Sequence, residues 1–250
     1  MQSGPVVHSQ IEYCNLLDSL VQPGTRWLDI GCGQTILPEW IRDSISIQKK
    51  LIERCELARG CDPKDNRPHK AGLQKYVGDC EKLPYPDGHF NLVTANMVVE
   101  HIADPATFAA EINRVLTAAG RFVLHTPNLF YLPILAVSVL PKRLVRTVAS
   151  LLDNRDGADI FPTHYRMNTR GSISRLPGFR VVELRCVETA PILKKLPIAN
   201  LAESLLIRST RHPRLQDLRA DWLGVLEKIS GNDILLADES QASIEAEAYS

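Results

Sequence analysis

The stretch Trp27-Leu28-Asp29-Ile30-Gly31-Cys32-Gly33 decides the fold. It opens as an apolar strand of the kind that a parallel sheet buries on both faces, and it runs into two glycines. Gly31 and Gly33 carry no Cβ, so the turn they make can come close to a ligand. About thirty residues on, Gly60-Cys61-Asp62-Pro63 ends a second strand on an acid. An acid there is placed to accept hydrogen bonds from ribose hydroxyls, as in folds that seat a nucleoside at the carboxyl ends of their strands.

Outward from this unit, Ser9 to Leu20 has helical spacing, and Pro23-Gly24 turns the chain into the strand Arg26 to Ile30. The glycine turn is expected to open a helix that takes Pro38 in its first turn and sets Trp40, Ile41 and Ile45 on one apolar stripe. Strands are predicted at Glu56 to Cys61, Lys75 to Gly78, and Phe90 to Ala95, the last after the turn Pro86-Asp87-Gly88. Asp104 and Pro105 start a helix as N-cap and N1, Gly120 closes it as C′, and Arg121 to Thr126 is the next strand. Strands alternating with helices at this spacing predict an α/β protein with a parallel sheet covered on both faces. After Pro127 the alternation stops. Leu129 to Ser150 and Ile192 to Leu206 read as apolar helices, with strands at Phe179 to Val187 and Asp221 to Leu226. One domain over residues 1–230 is expected, with helical insertions near 129–165 and 190–218 and a disordered acidic tail at 231–250.

The 29 basic and 29 acidic residues cancel, which argues against nucleic acid as a partner. The balance hides an asymmetry, because Leu129 to Arg219 holds 15 Lys or Arg against 7 Asp or Glu. Such a segment is either a solvated face or one that meets an anionic substrate or lipid surface. The six cysteines have neither CxxC pairs nor metal-ligand spacing with the histidines, and they read as reduced thiols of a cytoplasmic protein. No secretion signal is visible, and the apolar run Leu129 to Leu140, interrupted by Pro133, is too short to span a bilayer. Contact at the inner face of a membrane, through 129–146 and 192–214, is a second reading of these basic apolar helices beside ordinary core.

From about Tyr13 to Lys228 the chain resembles the class I S-adenosylmethionine-dependent methyltransferases. Leu28-Asp29-Ile30-Gly31-Cys32-Gly33 resembles the first motif of that family, and Asp62 its ribose-binding acid. Gly78-Asp79-Cys80, Leu83-Pro84-Tyr85-Pro86-Asp87, Phe90-Asn91-Leu92-Val93, Val99-Glu100-His101-Ile102, Glu111, Arg114-Val115-Leu116, Gly120-Arg121-Phe122 and Thr126-Pro127-Asn128 follow in the family's order. Phe161-Pro162-Thr163-His164-Tyr165-Arg166 is similar to a bacterial branch, many of whose members act on sugars, glycans or lipid-linked intermediates. One departure is Thr35, which stands where a third glycine is frequent. The resemblance implies a doubly wound, mostly parallel, seven-stranded Rossmann-like sheet whose last strand is antiparallel. It also implies S-adenosyl-L-methionine as cofactor and a methyl acceptor that is a small molecule, a glycan or lipid-linked, attacked through oxygen, with nitrogen or carbon as the alternatives.

Under that resemblance Asp29 orders the glycine turn and the amino end of the methionine moiety, and Asp79 accepts from the adenine amine. Cys32, Pro63 and Cys80 lie in the same cofactor segments. Tyr13 either reaches the methionine carboxylate or packs the first helix. Asn96 ends the fourth strand, where open parallel sheets meet their ligands, and is placed with the cofactor. Methyl transfer from a sulfonium asks mostly for alignment, and His101 is the candidate general base because imidazole titrates near neutral pH. His164 joins it as a catalytic candidate, and Tyr165 and Arg166 as substrate residues, since they follow the sheet where a lid would lie; Arg166 is either a bidentate anion clamp or an exposed loop cation. No metal site is expected. Two rivals stay open: a catalytically inactive cofactor-binding scaffold, and an NAD-dependent oxidoreductase, which the missing third glycine and missing second mononucleotide half disfavour.

Overall fold

The computed structural model describes residues 7–138, 162–191 and 197–229. The expected tail at 231–250, most of the first helical insertion and part of the second lie outside the described residues.

Seven strands make one sheet: β1 (Arg26–Ile30), β2 (Leu57–Asp62), β3 (Gln74–Val77), β4 (Phe90–Asn96), β5 (Leu116–Pro127), β6 (Phe179–Val187) and β7 (Asp221–Lys228). Their order is β3-β2-β1-β4-β5-β7-β6, and the neighbours from β3 to β5 pair in parallel. β7 is inserted antiparallel between β5 and β6, which is the single reversal the resemblance implied. The order reverses between β1 and β4, the topological switch point at which such sheets open a crevice.

Strand alternation divides the core into two layers. Trp27, Leu92, Val123, Leu223 and Val225 point to one face, under α1 (Ser9–Leu20) and α2 (Ser44–Arg54). Leu28, Ile30, Val93, Phe122, Leu124 and Trp222 point to the other, under α3 (Pro105–Val115) and the short α5 (Arg170–Ser174). Two further helices, α4 (Leu132–Ser138) and α6 (Pro197–Ser209), follow β5 and β6.

Two boundaries differ from the sequence reading, each for a local reason. The second helix starts at Ser44 rather than straight after the glycine turn, because residues 31–43 spend their backbone groups elsewhere. Gln48 accepts from the Ile36 N–H (2.8 Å) and donates to the Leu37 carbonyl (3.4 Å), while Trp40 stays outside the core, tilted against His8. α3 ends at Val115 rather than running on toward Gly120, and the left-handed residue that follows is Ala119 (φ 56°). Gly120 serves another need: a Cβ there would lie 2.9 Å from the Thr117 carbonyl oxygen.

Candidate functional site

The carboxyl ends of β1, β2 and β4 converge on the segment 31–37, whose backbone is anchored from behind. The Gly31 and Cys32 N–H groups donate to the Cys61 carbonyl (2.7 and 3.2 Å), and the Gly33 N–H donates to Asp62 Oδ2 (3.0 Å). Lys75 Nζ donates to the Gly33 carbonyl (2.8 Å), the Lys70 N–H to that of Gln34 (2.8 Å), and Asn96 Nδ2 to that of Ile36 (3.1 Å). Gly31 has φ 71°, and a Cβ on it would strike Val98 Cγ2 at 2.3 Å, so glycine is required there by conformation and by space. Gly33 also has positive φ (48°), but nothing lies within 4 Å of where its Cβ would be. The turn thus has a packed side at Gly31 and an open side at Gly33.

Asp62 does more than a strand-end acid needs to. It is nearly buried, and besides Gly33 it accepts from the backbone N–H groups of Lys64 (3.0 Å) and Asp65 (2.7 Å), which folds the loop after Pro63 over the end of β2. Asp29, buried in β1, accepts from the Thr94 hydroxyl, which in turn accepts from the Trp27 indole N–H (2.8 Å). Burial pushes the Asp29 carboxyl up to about 8 against the Thr94 hydrogen bond, with the nearby charge of Asp62 adding to the rise. Tyr13 is fully buried beside them, and its phenol is raised well above the ordinary value, by burial first and by Asp29 second.

Asn96 is a hub rather than a free end. It exchanges hydrogen bonds with Gln10 of α1 (2.9 and 3.2 Å), and its Oδ1 lies 2.8 Å from His125 Nδ1. Because the Asn96 amide N donates to Gln10 and Ile36, its oxygen is the acceptor, and His125 Nδ1 must carry the proton. The other ring nitrogen of His125 lies 3.6 Å from Asp221 Oδ2, and Tyr13 stacks on the ring at 5.6 Å between centroids. Among the described residues, Ser9 Oγ, the Tyr13 hydroxyl and His125 Nε2 are buried with no hydrogen-bond partner. Orphaned buried polar atoms on α1 and at the end of β5, around the Gln10–Asn96–His125 network, fit a polar ligand seated at this end of the sheet. Cys32 contributes backbone only, since its thiol is buried against Gly60 and burial holds it protonated. At the end of β3, exposed Asp79 caps its own loop through the Glu81 N–H (2.8 Å), and the half-buried Cys80 thiol is pushed up to about 12 by burial.

The remaining candidates gather across the cleft, around Glu100. The Glu100 carbonyl accepts from the N–H groups of His164 (2.7 Å) and Tyr165 (3.1 Å), so the segment after Pro162 is pinned to the 3-10 turn Val99–His101. The Glu100 side chain is buried and accepts from the Thr126 hydroxyl (2.9 Å), which also accepts from Asn168 Nδ2 (2.8 Å). Burial pushes the Glu100 carboxyl up to about 7. His101 Nδ1 sits 3.1 Å from the Pro162 carbonyl, and its pKa is lowered by burial, opposed by that hydrogen bond, with the charge of His164 adding to the fall. His101 and His164 are therefore brought together, His164 being exposed. Tyr165 is half-buried in a left-handed backbone (φ 52°), and Arg166 is exposed, its charge felt at Asp104. The sequence reading passed over Glu100, Thr94, Gln10 and Lys75. Glu100 and Thr94 had a signal, each being a polar residue inside an apolar run, whereas Gln10 and Lys75 become visible only through the partners that the fold gives them.

A methyltransferase domain model matches residues 28–124. This span holds the glycine turn, Asp62, the last three residues of β1 and all of β2 to β4. Over 123 residues the chain is 28% identical to norajmaline N-methyltransferase of Rauvolfia serpentina, covering 48% of this chain and 41% of that protein. It is 30% identical over 115 residues to 27-O-demethylrifamycin SV methyltransferase of Amycolatopsis mediterranei, covering 42% and 39%. The match thus spans about two fifths of the length of these relatives. Among solved structures, geranyl diphosphate C-methyltransferase of Streptomyces coelicolor superposes with a TM-score of 0.56 at 15% identity, covering 88% of this chain and 81% of that one. The fold is the Rossmann-like fold of S-adenosylmethionine-dependent methyltransferases.

Proposed function

We propose that this chain is an S-adenosylmethionine-dependent methyltransferase that modifies an oxygen of a small-molecule, glycan or lipid-linked acceptor. The observation that carries the reading is the turn at 31–37, held by Cys61, Asp62, Lys75 and Asn96 while nothing packs where a Cβ of Gly33 would stand. When bound there, S-adenosylmethionine supplies a methyl carbon activated by its sulfonium. The protein's part is to align that carbon with the acceptor in a dry site, and good alignment is worth roughly 7–11 kcal/mol. Asp62 holds the ribose hydroxyls with the oxygen capacity left after its backbone contacts, and Asp79 and Cys80 border the adenine. Asp29, Tyr13 and Asn96 frame the methionine end. His101, with His164 beside it, takes the acceptor proton, and Tyr165 and Arg166 hold the acceptor.

Calorimetry with S-adenosylmethionine, S-adenosylhomocysteine and NAD tests the assignment. Saturable binding of the first two and none of NAD is expected, followed by methyl release with candidate acceptors; binding of NAD alone would return the oxidoreductase reading, and binding without turnover the scaffold. Asp62→Ala should weaken the cofactor and also lower the Tm. Three partly buried backbone N–H groups lose their acceptor, at about 1 kcal/mol each before relaxation.

A lipid-linked acceptor is favoured by one surface. α6 buries Glu203 and Ile207 and exposes Leu201 and Leu205, while Phe130 and Leu132 are exposed around the start of α4. A hydrogen bond from Tyr131 to Glu203 (2.7 Å) joins the two elements, and Arg208 and Arg214 are exposed nearby in the chain. Among the described residues no helix is long and apolar enough to cross a membrane, so contact would lie in the interface. Sedimentation with phosphatidylglycerol vesicles should capture the protein at low salt, lose it at high salt, and fail for Leu201→Ser/Leu205→Ser; indifference to anionic lipid removes this reading.

A further inference from the structure

The cofactor turn has an anchor that neither its motif nor its neighbours in sequence supply. Lys75 lies on β3, the edge strand of the sheet, where a lysine ordinarily extends its ammonium into water. Here its side chain is only 7% exposed. The ammonium crosses the end of β2, donates to the Gly33 carbonyl at 2.8 Å, and lies 3.7 Å from Asp65 Oδ1.

Gly33 is the residue of this turn with the least to hold it. It has no Cβ, nothing lies within 4 Å of where one would be, and its φ of 48° is a conformation that glycine enters and leaves freely. The orientation of its two flanking peptide planes must therefore come from partners. The plane before it is fixed by Asp62, which accepts from the Gly33 N–H (3.0 Å), and the plane after it by Lys75, which donates to the Gly33 carbonyl. One carboxylate and one ammonium thus clamp a residue whose Cβ position is open space. Burying an ammonium is costly, and the pair with Asp65 at 3.7 Å offsets only part of that cost, so stability alone gives little reason for a lysine there.

We propose that Lys75 is a positioning residue for the cofactor: by holding the Gly33 carbonyl back toward β3, it sets the shape of the turn against which S-adenosylmethionine lies. The inference rests on the cofactor reading above. It differs from a packing role in its consequences, because removing the charge should loosen the turn without unfolding the protein.

Titration calorimetry of the full chain with S-adenosylhomocysteine, on the parent, Lys75→Met, Lys75→Gln and Lys75→Arg, tests it alongside thermal unfolding and amide exchange over residues 31–37. Lys75→Met is expected to weaken binding about tenfold, the order of a lost hydrogen bond from a charged donor. Its Tm should be equal to or above the parent's, and exchange at 31–37 should be faster in the free protein. Lys75→Arg and Lys75→Gln, which keep a donor, should recover part of the affinity, and Lys75→Gln serves if the methionine variant does not fold. Parental affinity in both neutral variants overturns the proposal, as does a fall in Tm that tracks the affinity and that arginine does not repair. If the parent itself fails to bind, the cofactor reading is what fails; if the parent binds and Asp62→Ala weakens it while the Lys75 variants bind normally, only the role of Lys75 is lost.

Discussion

The two sides of the crevice are braced by opposite means. At the ends of β1 and β2, the held groups are backbone groups of one short turn: Gln48 and Asn96 on Ile36, Asp62 and Lys75 on Gly33, Cys61 on Gly31. At the ends of β4 and β5, buried side chains bond to one another to hold a separate segment: Glu100 to Thr126, and Thr126 to Asn168, with the Glu100 carbonyl on His164 and Tyr165. The first arrangement makes a cradle of backbone groups. The second makes a wall whose position depends on polar side chains, and which can be rebuilt for a different acceptor without disturbing the cradle.

Two glycine substitutions break the comparison most sharply. Gly31→Ala forces a left-handed alanine and drives its methyl into Val98 at 2.3 Å, so a loss of about 2 kcal/mol or more is expected, with cofactor binding abolished. Gly33→Ala carries only the conformational cost, about 1 kcal/mol, because its methyl enters open space. On the proposed cofactor reading, however, that methyl stands on the ligand side, where an overpacking cost of about 2–3 kcal/mol corresponds to a roughly 100-fold loss of affinity. Differential scanning calorimetry and cofactor titration on the same two variants separate the effects. Equal destabilisation by both would mean that the turn has no open side.

The same contrast decides what was legible in the sequence. Ser9–Leu20 and Arg26–Ile30 stand where hydrophobic periodicity put them, because each packs into a contiguous layer, and Phe179–Val187 stands where expected as an edge strand buried at its two ends. The single antiparallel strand and the glycine turn followed from motif order. The helix start at Ser44 did not, since Pro38 and the stripe from Trp40 looked helical until Gln48 was seen to occupy the backbone of Ile36 and Leu37. Gln10 and Lys75 stayed hidden for a related reason. A buried polar or charged group is paired by residues far away in the chain, and no local pattern records which distant atom will meet it.

Titration sharpens the comparison at an intermediate level. Asp29 on the cradle side and Glu100 on the wall side both have pKa values raised by burial, to about 8 and about 7. Each binds its proton more tightly in the folded state than in the unfolded one. Stability is therefore fully present below the unfolded values near 4 and is lost as pH rises through 7 for Glu100 and through 8 for Asp29. The Tm of the free protein should fall between pH 5 and 8.5. Glu100→Gln should remove the part of the fall that levels off near 7, and Asp29→Asn the part that continues to 8. A Tm that rises over this range would show that neither group is buried as a neutral acid.

The smallest effect expected concerns backbone strain. Met97, just beyond β4, and Ala119, on the exposed turn within β5, are both held at left-handed φ (55° and 56°), a conformation that costs a side-chain-bearing residue about 1–2 kcal/mol. Glycine relieves that cost but adds unfolded-state entropy of about 0.5–1 kcal/mol, so either substitution should stabilise by about 1 kcal/mol or less. What separates them is position. The Met97 N–H donates to the His125 carbonyl (2.8 Å), so its strained backbone turns the chain from β4 toward His101 at the rim of the crevice. Ala119 lies at the opposite end of the sheet. Met97→Gly should therefore raise the Tm slightly while slowing methyl transfer, and Ala119→Gly should raise it without touching the rate. Equal rates in the two variants would mean that the strain beside β4 serves the chain path alone, and that the wall owes its position entirely to Glu100, Thr126 and Asn168.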